Sequence, residues 1–78
     1  MQFEDKEVSE LYGHIGKRVK ELRESRSMTQ LELSLEMGYK SVSLVSAAEL
    51  CNDGKHFNIE HLYRISKILD IDISYFFE

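Results

Sequence analysis

The stretch Thr29–Leu50 constrains the fold most, because it carries its own signals for starting, stopping and restarting a helix. Thr29-Gln30-Leu31-Glu32 reads as a capping box. The Thr29 hydroxyl can accept from the Glu32 N–H, and the Glu32 carboxylate can reach back to the Thr29 N–H. Met28 and Leu33 flank the cap as a hydrophobic staple. Gly38 supplies the left-handed residue that ends the helix, and Ser41 offers a capping oxygen to the next one. Two short helices joined by a tight turn follow.

The remaining chain must pack around this unit within 78 residues, which makes a single domain, residues 1–78. A chain so short buries only roughly 60–65% of its unfolded surface, so packing must be good or the domain must associate. There is no proline and there are only four glycines, which favours helices over a turn-rich β architecture. Val8, Leu11, Tyr12, Ile15, Val19 and Leu22 recur at steps of three and four. They predict a first helix from about Glu4 or Val8 to Ser25. Gly13 and Gly16 interrupt it; they either admit another helix closely or mark residues 1–11 as a weak N-terminal extension. A second helix is expected over Gln30–Met37 and a third over Val42–Leu50. Asn58 caps a fourth, ending near Leu69, with Ile59, Leu62, Ile65, Ile68 and Leu69 as its apolar side. Asp70 stands where a helix often ends on glycine, and Asp72 caps a fifth, Ile73–Phe77.

The net charge of −4 counts against indiscriminate nucleic-acid binding, but the acids sit mostly at the two ends. The centre carries Lys17, Arg18, Lys20, Arg23, Arg26, Lys40 and Lys55. Lys17, Arg18 and Lys20 lie off the apolar stripe, as a solvated face or as phosphate contacts. The single cysteine, Cys51, excludes an intramolecular disulfide and suits a reducing, cytoplasmic setting. The acidic N-terminus does not resemble a signal peptide, and no apolar run reaches the ~18–20 residues of a membrane span. His56 and His61 are five apart rather than four, and no Cys-x-x-Cys is present, so neither a metal nor a cofactor is expected. No paired acid/base constellation or phosphate-binding glycine loop suggests an enzyme. Cys51, at the end of the third helix, reads by default as a buried or half-buried thiol, with redox sensing as the other reading.

Ile15-Gly-Lys-Arg-Val-Lys-Glu-Leu-Arg-Glu-Ser-Arg-Ser-Met-Thr-Gln30 resembles the opening of the Cro/phage-repressor (XRE-type) helix-turn-helix family. The likeness continues through Leu33 and Gly38, Ser41 and Glu49, Asn58-Ile-Glu-His-Leu62, and Ile71-Asp-Ile-Ser-Tyr-Phe76, spanning about residues 12–77. It implies an all-α, five-helix, lambda-repressor-like domain that binds double-stranded DNA with its second and third helices, the third in the major groove. It further implies that Gln30, Lys55 and His56 contact the DNA backbone, and that Arg23 and Glu49 form a structural ion pair. Ile71, Ile73 and Phe76 read as sealing the domain; the other reading takes the segment as a homodimer seam, as family members often have there, through Ile73, Tyr75, Phe76 and Phe77.

The chain departs from the family in three ways: one extra residue between Thr29 and Glu49, a longer loop after the third helix with Phe57 in place of a common proline, and the make-up of the third helix itself. An ungapped register would put Ala48 at the glutamate position with Leu44 and Ala47 inward; placing the extra residue in the turn instead aligns Ser41 and Glu49 with the family and turns Val45 and Ala48 inward. The outward positions of the third helix are then Val42, Ser43, Ser46 and Ala47, and the helix has no Arg, Lys, Asn or Gln. Those are the side chains that make bidentate base contacts, worth ~1–3 kcal/mol of discrimination each. Ser41, Ser43 and Ser46 can bond several bases, Val42 or Ala47 can meet a thymine methyl, and Tyr39 and Lys40 can add phosphate contacts. Two readings stay open: a transcriptional regulator acting as a homodimer on a short operator, and an antitoxin-like or adaptor module whose surface grips a protein partner.

Overall fold

The computed structural model describes residues 5–78. Four α-helices are present among the described residues: α1 (Asp5–Ser25), α2 (Gln30–Glu36), α3 (Ser43–Leu50) and α4 (Ile59–Ile68). A 3-10 turn at Asn52–Gly54 follows α3, and a 3-10 helix at Ile73–Phe77 ends the chain. No strand occurs among the described residues. The expected fifth helix is thus not an α-helix. Asp72 does cap it, accepting from the Ser74 N–H at 2.9 Å, but the segment closes with i→i+3 bonds such as Tyr75 N–H to Asp72 O, the pattern of a short 3-10 helix. The start of α1 expected at Glu4 lies outside the described residues.

The core joins the four α-helices and the terminal 3-10 helix. Ile15, Val19 and Leu22 of α1 meet Leu33 and Met37, Val45 and Ala48 of α3, Phe57, Leu62, Ile65 and Leu69, and Phe76 of the terminal 3-10 helix. Val45 and Ala48 are both fully buried, the register expected from aligning Ser41 with Glu49. Two parts of the expected apolar faces stay in solvent. Val8 and Leu11 are exposed because the first turns of α1 project past the core. Ile59 is 67% exposed; at the first position of α4 it precedes the turn that reaches inward, and His61 is buried in that turn instead.

The two interrupting glycines of α1 differ. A Cβ on Gly16 would lie 2.6 Å from the Glu49 carbonyl oxygen and 2.8 Å from that of Ala48, whereas a Cβ on Gly13 would meet nothing within 4 Å. Gly16 is therefore where α1 and α3 touch backbone to backbone.

Three helices end alike, with a left-handed residue after the last turn and the next N–H folded back onto the helix. For α2 this residue is Gly38, and Tyr39 N–H reaches Ser34 O at 3.0 Å. For α4 it is Asp70 (φ 52°), and Ile71 N–H reaches Ser66 O. For α1 it is Ser27 (φ 56°), and Met28 N–H reaches Arg23 O. A Cβ in that region is strained, and Ser27 is exposed, so Ser27→Gly is expected to stabilise the domain by about 1 kcal/mol. A rise in the urea midpoint without a change in slope is the measurement that checks it.

Candidate nucleic-acid interface

The α2–turn–α3 segment is held from within and from behind. The Thr29 hydroxyl accepts from Glu32 N–H at 3.0 Å and Thr29 N–H donates to the Glu32 carboxylate at 2.9 Å, which closes the capping box. Hydrogen bonding from the Thr29 backbone N–H, and then from the Thr29 side chain, holds the Glu32 carboxyl below its ordinary range. At the other end, Arg64 of α4 donates from Nη1 to Met37 O at 2.8 Å, satisfying a carbonyl at the C-terminus of α2. The buried Ser34 hydroxyl donates across the turn to Ser41 O. Neither clamp is visible in the sequence, because both depend on which residues the turn brings near. The capping oxygen expected of Ser41 is in place: Val42 already has helical dihedrals, and Ser41 Oγ accepts from Ser43 N–H at 3.4 Å and meets the Ser43 hydroxyl at 3.2 Å.

Behind this segment, Arg23 and Glu49 tie α1 to α3. Arg23 Nε and Nη2 donate to the two carboxylate oxygens at 2.8 and 3.0 Å, a bidentate pair with both side chains buried. Arg23 Nη1 also donates to Met28 O at 2.8 Å. The Glu49 hydrogen bond holds the guanidinium above its ordinary value against the opposing effect of burial. Gln30 joins the pair, donating from Nε2 to Glu49 Oε1 at 2.9 Å. That bond uses one amide hydrogen and leaves a second on the same nitrogen. Gln30 is therefore also a tether of α2 to α3, and Gln30→Ala is expected to cost about 1–2 kcal/mol in stability apart from any binding defect, by denaturant titration.

The outer surface brings several candidate residues together. Tyr39, Lys40, Ser41, Ser43, Leu44 and Lys55 line one concavity of about 350 Å³. Lys40 precedes α3 and Lys55 follows it, so the hollow draws lysines from both sides of the helix in sequence. Val42 is exposed beside it, and Ser46 and Ala47 are half-buried further along α3. His56 stands apart: its ring stacks on Tyr12 at 3.6 Å, over a separate hollow with Ser9, Cys51, Gly54 and Lys55. Cys51 is half-buried and left-handed, its thiol directed at Ala48 O.

Much of the basic stretch in α1 is turned to structural use. Arg18 stacks on the Tyr75 ring at 4.0 Å, Arg23 is buried, and Arg26 donates to Leu69 O at the end of α4. Lys17 and Lys20 remain exposed. In the C-terminal segment, Phe76 is fully buried and offers no surface to a second copy. Phe77 is 48% exposed, and Ile73 and Tyr75 are half-buried. Among the described residues no group of His, Cys, Asp or Glu is disposed to hold a metal, and no helix is long and apolar enough to cross a membrane.

Comparison with known proteins returned no matching curated protein and no matching solved structure. A helix-turn-helix family model matches residues 19–76, most of the chain, from the middle of α1 through Phe76. That span takes in the capped α2, the turn, α3 and the Glu49 anchor, so the chain belongs to the Cro/C1-type (XRE) helix-turn-helix family of DNA-binding regulatory domains.

Proposed function

We propose that this protein is a transcriptional regulator that binds a short operator as a homodimer, with α3 in the major groove and the start of α2 against the backbone. The observation that carries the reading is the convergence of Lys40 and Lys55 with Ser41, Ser43 and Tyr39 on one hollow beside α3. The lysines and Tyr39 supply phosphate contacts that set register, and His56 adds one at the rim of the neighbouring hollow. The second amide hydrogen of Gln30, beside the free N–H groups of the first turn of α2, supplies another. Val42, Ser43, Ser46 and Ala47 face the bases. With no bidentate donor among them, discrimination rests on hydroxyls, methyl contacts and DNA shape.

A second copy has an apolar surface to meet. Leu11, Ile59 and Phe77 are exposed around a groove of about 320 Å³ between α1, α4 and the C-terminus. The seam draws on Phe77, with Ile73 and Tyr75 at its edge. A two-fold pairing there would have to set the α3 helices about 34–36 Å apart to reach successive major grooves.

Selection of bound duplexes from a random pool, followed by footprinting, tests the reading. Gln30→Ala is expected to weaken all selected sites alike, while Ser43→Ala or Ser46→Ala changes the order of preference among them. A pool that shows no enrichment contradicts it.

One observation favours the interaction-module alternative. Leu31 and Leu35 are 47% and 52% exposed one turn apart on α2, and Val42 and Leu50 are exposed on α3. A stoichiometric protein that co-purifies and protects Val42–Ala47 would support an antitoxin-like or adaptor role.

A further inference from the structure

The two capping boxes of this fold are closed by side chains of opposite acid–base character. In α2 the box is closed by Glu32, whose carboxylate stays ionised far below neutral pH. In α4 the same position is taken by His61. Asn58 Oδ1 accepts from His61 N–H at 2.8 Å, and Asn58 N–H donates to His61 Nδ1 at 3.0 Å. A backbone N–H can only donate, so this bond requires an unprotonated Nδ1, with the ring proton on Nε2. A second proton would set donor against donor. It would also place a positive charge at the positive end of the α4 dipole.

The ring is enclosed where three parts of the chain meet. It is 9% exposed and lies edge-on to Tyr39 of the α2–α3 turn and to Phe57 of the loop before α4, with both centroids at 6.1 Å. The groups that face it are Tyr39 from the turn, His56 from the loop, and Glu60 and Arg64 from α4. Burial pushes the imidazole below its ordinary value of 6.5; the Glu60 carboxylate opposes this, and Arg64 and His56 reinforce it.

We infer that the Asn58–His61 box is a proton-operated latch. Its neutral form docks the start of α4 and the loop carrying Lys55 against the α2–α3 turn, and protonation uncaps α4 and loosens that junction. Because the folded state holds the imidazole below its unfolded value, the unfolded chain binds the extra proton first. The latch contributes fully above pH 6.5 and is lost as pH falls from there through the folded value. The device does not depend on what the α2–α3 face binds.

Thermal unfolding of the wild type and of His61→Gln, at about pH 7.5 and about pH 5, tests it. Glutamine closes a capping box without titrating. The wild type is expected to lose about 4–8 °C more on acidification than the variant; an equal loss in both overturns the inference. A proton NMR titration of the wild type gives an answer that needs no variant. His61 is expected to titrate below 6.5 with the Asn58 amide resonance moving in step. Titration at or above that value, or an Asn58 amide that does not follow, overturns it.

Discussion

Gly16→Ala is expected to cost about 3 kcal/mol, the upper end of what overpacking a core does. The added methyl would sit 2.6 Å and 2.8 Å from two carbonyl oxygens of α3. Both are backbone atoms inside a helix, so neither can rotate away, and relief requires α1 and α3 to separate. Separation would open the core around Ile15, Val45 and Ala48 and stretch the Arg23–Glu49 pair. The Ala48 side chain is already the smallest that leaves a Cβ at this crossing. Gly13→Ala, one turn earlier on the same helix, is expected to act in the opposite direction. Nothing stands within 4 Å of its added methyl, so the substitution gains the helix propensity of alanine, about 1 kcal/mol. Equilibrium denaturation of both variants checks the pair; effects of the same sign would mean that α1 and α3 do not cross at Gly16.

Glu49→Ala is expected to cost ~3–5 kcal/mol, because it leaves the Arg23 guanidinium buried without its countercharge. Arg23 would keep only its bond to Met28 O, and Gln30 would lose the acceptor that ties α2 to α3. The loss therefore reaches the candidate interface as well as the core. Replacing both ions, with Arg23→Met and Glu49→Leu, is expected to recover most of the stability, since the desolvation cost of both charges disappears together. A double-mutant cycle measured in urea separates these terms. A single-variant loss below about 1 kcal/mol would contradict the buried, bidentate geometry.

How much of this was legible in the sequence depended on how local the signal was. The α2 cap, the Gly38 ending and the Asn58 and Asp72 caps are written in adjacent residues, and each is found where those residues stand. The inward register of α3 followed from the family resemblance once the extra residue was placed in the turn. What sequence reasoning missed are partners brought together across the fold. Gln30 reads as a phosphate ligand, yet its amide is bonded to Glu49, 19 residues away. Arg18 and Arg26 read as part of a basic face, yet they serve Tyr75 and Leu69. His61 reads as one of three histidines without a metal, and only the position three residues after Asn58 hinted that its ring nitrogen could close a box. Ile59 was misassigned because periodicity names an apolar face without saying how far the core extends along it.

The central claim is that Lys40 and Lys55, flanking α3, grip a DNA backbone. The measurement that tests it most directly is the salt dependence of duplex binding by the wild type, Lys40→Ala and Lys55→Ala, followed by fluorescence anisotropy on a selected site. Binding at about micromolar protein or below is expected, with log K falling linearly in log salt at about −0.9 per neutralised phosphate. Each lysine variant is expected to reduce that slope by about 1. No salt-sensitive binding by the wild type, or slopes that both variants leave unchanged, would contradict the account.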